Sequence, residues 1–121
     1  MALIPTISAI IAGNTVLLKP SEVTPQVGAV LQDIFNKTEL PPHVIQILQG
    51  GAEVGQQLIN EQPDKIFFTG SVNTGKKIMK QAAANLIPVE LELGGKDPMI
   101  VLEDADLERA VEGASKQFNY L

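Results

Sequence analysis

Three short stretches of this chain carry residue types and spacings that could do chemistry. In Lys19-Pro20-Ser21-Glu22, an ammonium and a carboxylate stand three residues apart on a rigid proline turn. Such a pair can donate to and accept from the neighbouring hydroxyls of a ribose, although a solvated loop with a weak ion pair fits the same spacing. From Phe68 to Lys77, a strand-like run meets a turn read over Gly70–Thr74 and bounded by Gly70 and Gly75. A helix opening there aims free backbone N–H groups and its positive end at the turn, which favours a phosphate. Ser71 adds a hydroxyl donor and the two glycines allow close backbone approach, but an ordinary strand-to-helix turn would look alike. Finally, Glu90 and Glu92 alternate with Leu91 and Leu93 before Gly94-Gly95, so both carboxylates share one face of a strand. A carboxylate held against an apolar wall could have its pKa raised enough to act as a general base; two exposed glutamates on an edge strand are the plain alternative.

The Gly70–Lys77 stretch also nearly spells a P-loop, with Ile100–Asp104 as its acidic strand. Lys77 stands where that motif needs a Ser or Thr hydroxyl for Mg²⁺, which counts against an ATP- or GTP-binding domain without removing it. A non-catalytic nucleotide-binding or interaction module is the other alternative. No third carboxylate or histidine lies near Glu90 and Glu92, so no metal is expected. His43, the only histidine, reads as structural or solvent-facing; Lys76, Lys77 and Lys80 read as a solvated face, and Met79 and Met99 as core filler.

The elements that must position these residues alternate strand and helix. Strands are expected over Asn14–Lys19, His43–Leu48, Lys65–Thr69, Pro88–Leu93 and Pro98–Leu102. Helices are expected over Gln26–Lys37, capped by Thr24-Pro25 with Val27, Val30, Leu31 and Ile34 as its buried face, then over Ala52–Asn60, Gly75–Asn85 and Leu107–Gln117. This order predicts an α/β fold with a largely parallel sheet covered by helices on both faces. The 121 residues allow one domain, and 45 % apolar residues suffice for a core built on aliphatic side chains, since aromatics make up only 4 %. A net charge of −5 argues against a nucleic-acid partner. No apolar run is long enough for a membrane span, and no basic region precedes Ile4–Ile11, so a soluble, cytoplasmic protein is expected. There is no cysteine, hence no disulfide and no thiol nucleophile in this chain.

Taken in order, Ala12-Gly13-Asn14-Thr15-Val16 with Leu18–Glu22, Phe68–Ser71 with Gly75-Lys76, Leu91–Lys96 with Pro98, and Asp104–Leu107 resemble the aldehyde dehydrogenase superfamily. The Gly50-Gly51 loop and Asn85-Leu86-Ile87-Pro88 resemble its class 3 or fatty-aldehyde branch. The resemblance implies a partial Rossmann-like NAD(P)-binding domain over residues 1–121, in which Lys19 and Glu22 hold the adenosine ribose. It further implies that Gly70, Ser71 and Gly75 frame the pyrophosphate turn, that the Leu93 backbone lies beside the nicotinamide, and that Glu92 is the general base. NAD is the implied cofactor, with NADP also possible, because Glu22 would repel a 2′-phosphate. In this family a cysteine attacks the aldehyde and hydride leaves to the nicotinamide, after which the glutamate activates the water that frees the acid. The nucleophile is expected beyond Leu121, with Asn119 near the approach to it, and the oxyanion asparagine before Met1. The chain is therefore expected to be an excised domain or truncated product, inactive alone and prone to self-association through uncovered apolar faces.

Overall fold

The computed structural model describes residues 3–95 and 98–118. It opens with a helix the sequence reading leaves unassigned, α1 (Leu3–Ile11), with Pro5 in its first turn where a missing N–H is tolerated. Gly13, at φ 84°, ends it: the Gly13 N–H donates to the Ile10 carbonyl and the Asn14 N–H to that of Ala9.

Two βα-β units follow. β1 (Val16–Leu18) pairs in parallel with β2 (Ile45–Ile47), and α2 (Pro25–Asn36) makes the crossover. β3 (Ile66–Gly70) pairs in parallel with β4 (Val89–Leu93) across α4 (Val72–Ala83), in a register that sets Thr69 against Glu92 and Gly70 against Leu93. α3 (Ala52–Asn60) joins the units, and α5 (Leu107–Phe118) ends the described chain. The parallel α/β order expected from the sequence is present. The strands, however, form two separate two-stranded sheets rather than one.

Alternation along β3 and β4 buries one side only. Ile66 and Val89, with Ile78, pack against a small core of Ile59, Ala82 and Ile87. The opposite side, Phe67, Thr69, Glu90 and Glu92, is exposed. The expectation of a sheet covered on both faces is thus corrected: helices pack on one face of the β3–β4 pair, and the described residues leave the other open. The expected buried stripe of α2 is corrected likewise. Gly28 and Leu31 are buried, whereas Val27, Val30 and Ile34 are each about half exposed. Pro25 does stand at the first helical position, but the Thr24 hydroxyl makes no capping bond.

Pro98–Leu102 is not a strand. Its apolar side chains are exposed, Ile100 at 82 %, and no neighbouring strand pairs with it among the described residues. An apolar run without a partner edge has nothing to satisfy its backbone as a strand. No helix among the described residues is long and apolar enough to cross a membrane.

Candidate functional site

Lys19 leaves the C-terminal end of β1 and is held in place by three acceptors. Its Nζ donates to the Gly50 carbonyl at 2.8 Å, to the Pro20 carbonyl at 3.0 Å and to Glu22 Oε2 at 3.1 Å. The ammonium is largely sheltered, while more than half of the Glu22 side chain is open to solvent. The Glu22 carboxyl is held below the usual glutamate range, first by its own backbone N–H and then by the Lys19 hydrogen bond and charge. It is therefore an ionised acceptor at neutral pH, facing water.

Beside this pair runs a groove lined by Glu22, Pro25, Gln26, Ala29, Gln49, Gly50 and Gly51. It lies between the first turns of α2 and the loop after β2. Two close fits shape it. A Cβ at Gly28 would meet Gln49 Nε2 at 2.3 Å and Pro20 Cγ at 2.7 Å, so only glycine lets α2 seat this deeply. Gln49 in turn donates to the Pro25 carbonyl. Pro25, Ala29 and the two glycines leave an apolar slot between the glutamines, with the Glu22 carboxylate as an acceptor at its rim.

The second site region lies at the β3–α4 junction. Helix α4 begins at Val72, three residues before the expected start, so the turn expected over Gly70–Thr74 shrinks to Ser71 alone. The cause is the Ser71 side chain, an N-cap that accepts from the Thr74 N–H at 3.2 Å and donates to Thr74 Oγ1 at 3.0 Å. The N–H groups of Val72 and Asn73 have no intrahelical acceptor and lie at the positive helix end. A P-loop is incompatible with this geometry, because Gly75 and Lys76 are already inside the helix and no loop is left to wrap a triphosphate.

Gly75 has a different role from close approach to a ligand. It is buried, and a Cβ there would come 2.7 Å from Leu93 Cδ2 and 3.6 Å from Leu91 Cδ1. It lets α4 lie flat on β4. The Gly70 carbonyl accepts from the Gly94 N–H at 3.3 Å, carrying the ladder one step beyond Leu93.

Glu90 and Glu92 share a face, as expected. Glu90 is in an ion pair with Lys65 at 2.6 Å. Glu92 stands beside Thr69 across the ladder on the open face, exposed, and no ion pair holds it among the described residues. His43 is exposed in a turn at φ 68°. Lys96 and Asn119 lie outside the described residues. No group of three potential metal ligands occurs among the described residues.

The structure thus brings Lys19 to Glu22, and Gly75 to Leu93. Ser71 and Glu92 share the C-terminal edge of the β3–β4 pair, through the pairing of Gly70 with Leu93 and of Thr69 with Glu92. Sequence reasoning missed Gly50 as an acceptor for Lys19. It also missed Glu53, whose Oε1 accepts from the Gly51 N–H at 2.9 Å. The available signal was an acid two positions after a Gly-Gly pair at a helix start.

The model of the aldehyde dehydrogenase family matches residues 1–120. A 4,4'-diapolycopene aldehyde oxidase from Methylomonas sp is 46 % identical over 114 residues, covering 94 % of this chain and 22 % of the relative. A human 4-trimethylaminobutyraldehyde dehydrogenase is 45 % identical over 108 residues, with similar coverage. Among solved structures, a substrate-bound Staphylococcus aureus AldH superposes with a TM-score of 0.77 at 46 % identity, covering 88 % of this chain and 23 % of that one. A betaine aldehyde dehydrogenase from the same species, solved in complex with NAD+, gives 0.71 at 38 % identity over 83 % of this chain and 20 % of its own. The chain spans about a fifth of the length of these relatives. With the family model matched over nearly its whole length and relatives 45–46 % identical over about nine-tenths of it, the chain belongs to the aldehyde dehydrogenase family.

Proposed function

We propose that this chain is the cofactor-cradling part of an NAD-dependent aldehyde dehydrogenase, a single partial dinucleotide-binding domain that oxidises an aldehyde to its acid only within the complete enzyme. The observation that carries this is the Lys19–Glu22 pair, fixed by the Gly50 carbonyl at the rim of the Pro25–Gly51 groove. All three N–H groups of the Lys19 ammonium are taken in this structure, so one ribose hydroxyl takes the place of Glu22 on Lys19, and the freed Glu22 carboxylate accepts from another. An ionised Glu22 repels a 2′-phosphate, which favours NAD over NADP. The Val72 and Asn73 N–H groups, with the Ser71 hydroxyl beside them, face the pyrophosphate. Gly70 and Gly75 set the strand and helix that present them, and the Leu93 backbone borders the nicotinamide. When bound, NAD supplies the hydride acceptor. Glu92 takes a proton from the water that frees the acid. The nucleophile comes from elsewhere, since this chain has no cysteine.

Calorimetry on the 121-residue chain tests the reading. NAD+ should bind more tightly than NADP+, and neither should support oxidation of any aldehyde. A folded chain that gives no heat with millimolar NAD+ would falsify the assignment. The half-exposed Val27, Val30 and Ile34, together with Ile4 and Ile11 at 73 % and 82 %, are part of the proposal as a self-associating surface. A concentration-independent monomer in ultracentrifugation would remove that part. A cytoplasmic setting also belongs to this proposal.

A further inference from the structure

One peptide group in this structure has a charged partner at each end. The Gly50–Gly51 unit offers its carbonyl to the Lys19 ammonium at 2.8 Å and its N–H to the Glu53 carboxylate at 2.9 Å. Each bond is charge-assisted, and each pulls the peptide dipole in the same sense: negative oxygen to the cation, positive hydrogen to the anion. Rotating this peptide would break both at once.

Gly50 is needed for this arrangement, and Gly51 leaves room for it. Gly50 has φ 150°, which a side chain rarely adopts, and a Cβ there would meet Val54 Cγ2 at 2.3 Å. A Cβ at Gly51 would lie 2.6 Å from Glu53 Oε2, so a side chain there would make the Glu53 carboxylate shift. The Glu53 carboxyl is held below the usual range, first by its own backbone N–H and then by that of Gly51, with Lys19 adding a smaller pull in the same direction.

We propose that Glu53 is a positioning residue: it acts through the Gly50–Gly51 peptide to hold the Lys19 ammonium in the orientation that meets a nucleotide ribose. The ribose part rests on the nucleotide-binding reading above, while the hold on Lys19 does not. Glu53 touches neither the Lys19 ammonium nor the ribose. It fixes the carbonyl that, with the carbonyl of Pro20 and the carboxylate of Glu22, sets the direction of that ammonium.

The test uses the full chain in two arms. Proton–nitrogen NMR of the lysine ammonium groups should show Lys19 as a slowly exchanging signal in the parent. Glu53→Ala should broaden or abolish it, and Glu53→Gln, whose amide oxygen can still accept from Gly51, should retain it. A role confined to stabilising the start of α3 would lower the melting temperature of Glu53→Ala and leave the Lys19 signal intact, and that result overturns the proposal. In the second arm, NAD+ affinity should fall about fivefold in Glu53→Ala, the size of an exposed charge-assisted contact, and recover in Glu53→Gln. If the parent binds no NAD+ yet Glu53→Ala loses the Lys19 signal, the nucleotide reading fails and the positioning of Lys19 stands. If the parent binds NAD+ and Glu53→Ala changes neither signal nor affinity, the positioning fails and the nucleotide reading stands.

Discussion

Gly75 and Leu93 interlock across the α4–β4 contact: a Cβ at 75 would lie 2.7 Å from Leu93 Cδ2. The obstacle is the far end of a half-buried leucine, which has to move by somewhat less than an ångström to clear it. For Gly75→Ala, overpacking of about 1 kcal/mol is offset by a helix-propensity gain of similar size, so stability should change by less than about 1 kcal/mol. Gly75→Val adds two branches and little propensity, and should cost about 2 kcal/mol. Urea unfolding of both variants checks this. Equal stabilities would mean that α4 and β4 are not this close.

Leu86 occupies, at the end of α4, the position that Gly13 occupies at the end of α1. The Ile87 N–H donates to the Ala82 carbonyl and the Leu86 N–H to that of Ala83, the same pair of bonds that closes α1. Leu86 has φ 55° and is 89 % exposed, so it bears the left-handed strain without burial to compensate. Leu86→Gly should raise stability by about 0.5–1 kcal/mol, the relieved strain less the added flexibility of the unfolded chain. Thermal unfolding at fixed chain concentration measures it, and a lower melting temperature would count against the αL assignment.

The Glu22 carboxyl should titrate below the ordinary glutamate value in carbon-detected NMR. Because its folded pKa is depressed, its contribution to stability is complete above the unfolded value. That contribution is lost as the pH falls through the lowered folded value. NAD+ affinity should weaken over the same acid window. Lys19→Met should move the midpoint only part of the way back, since the backbone N–H of Glu22 is the larger cause. A midpoint at or above the ordinary value would contradict the geometry described.

How much of this could be read in the sequence follows from which forces are local. Helix α3 is expected over the residues it occupies, because the Gly50-Gly51 pair before it is a local break that needs no tertiary partner. The parallel order followed from strand and helix lengths alone. Helix α1 was missed because Ile4, Ile7, Ile10 and Ile11 are β-branched and the run is apolar on nearly every side, leaving no clear period. Pro98–Leu102 and the Val27–Ile34 stripe were over-read for the opposite reason: apolar pattern states what a segment could bury, not what lies opposite it. At the site, the Lys19–Glu22 pair is three residues long and legible. Its anchor is not, since Gly50 lies 31 residues away and is brought to Lys19 only by the pairing of β1 with β2.

Ser71 has two duties that substitutions can separate. Its hydroxyl caps α4 through Thr74, and it stands at the helix end proposed to face the pyrophosphate. Ser71→Ala removes the cap and should cost about 1 kcal/mol of stability, so a loss of NAD+ binding in that variant could be a folding effect. Ser71→Asp keeps an acceptor for the Thr74 N–H and places a negative charge at the positive end of the helix, which adds about 0.3–1 kcal/mol of stability. The same charge opposes a phosphate a few ångströms away, where like charges repel by more than 1 kcal/mol even when partly screened. Ser71→Asp should therefore melt at or above the parent temperature and bind NAD+ about tenfold more weakly. Adenosine, which lacks phosphate, should bind parent and variant alike, because its proposed contacts lie at Lys19, Glu22 and the Pro25–Gly51 groove. If Ser71→Asp bound NAD+ as well as the parent, the pyrophosphate would have to lie away from α4, and the orientation of the dinucleotide proposed here would be wrong.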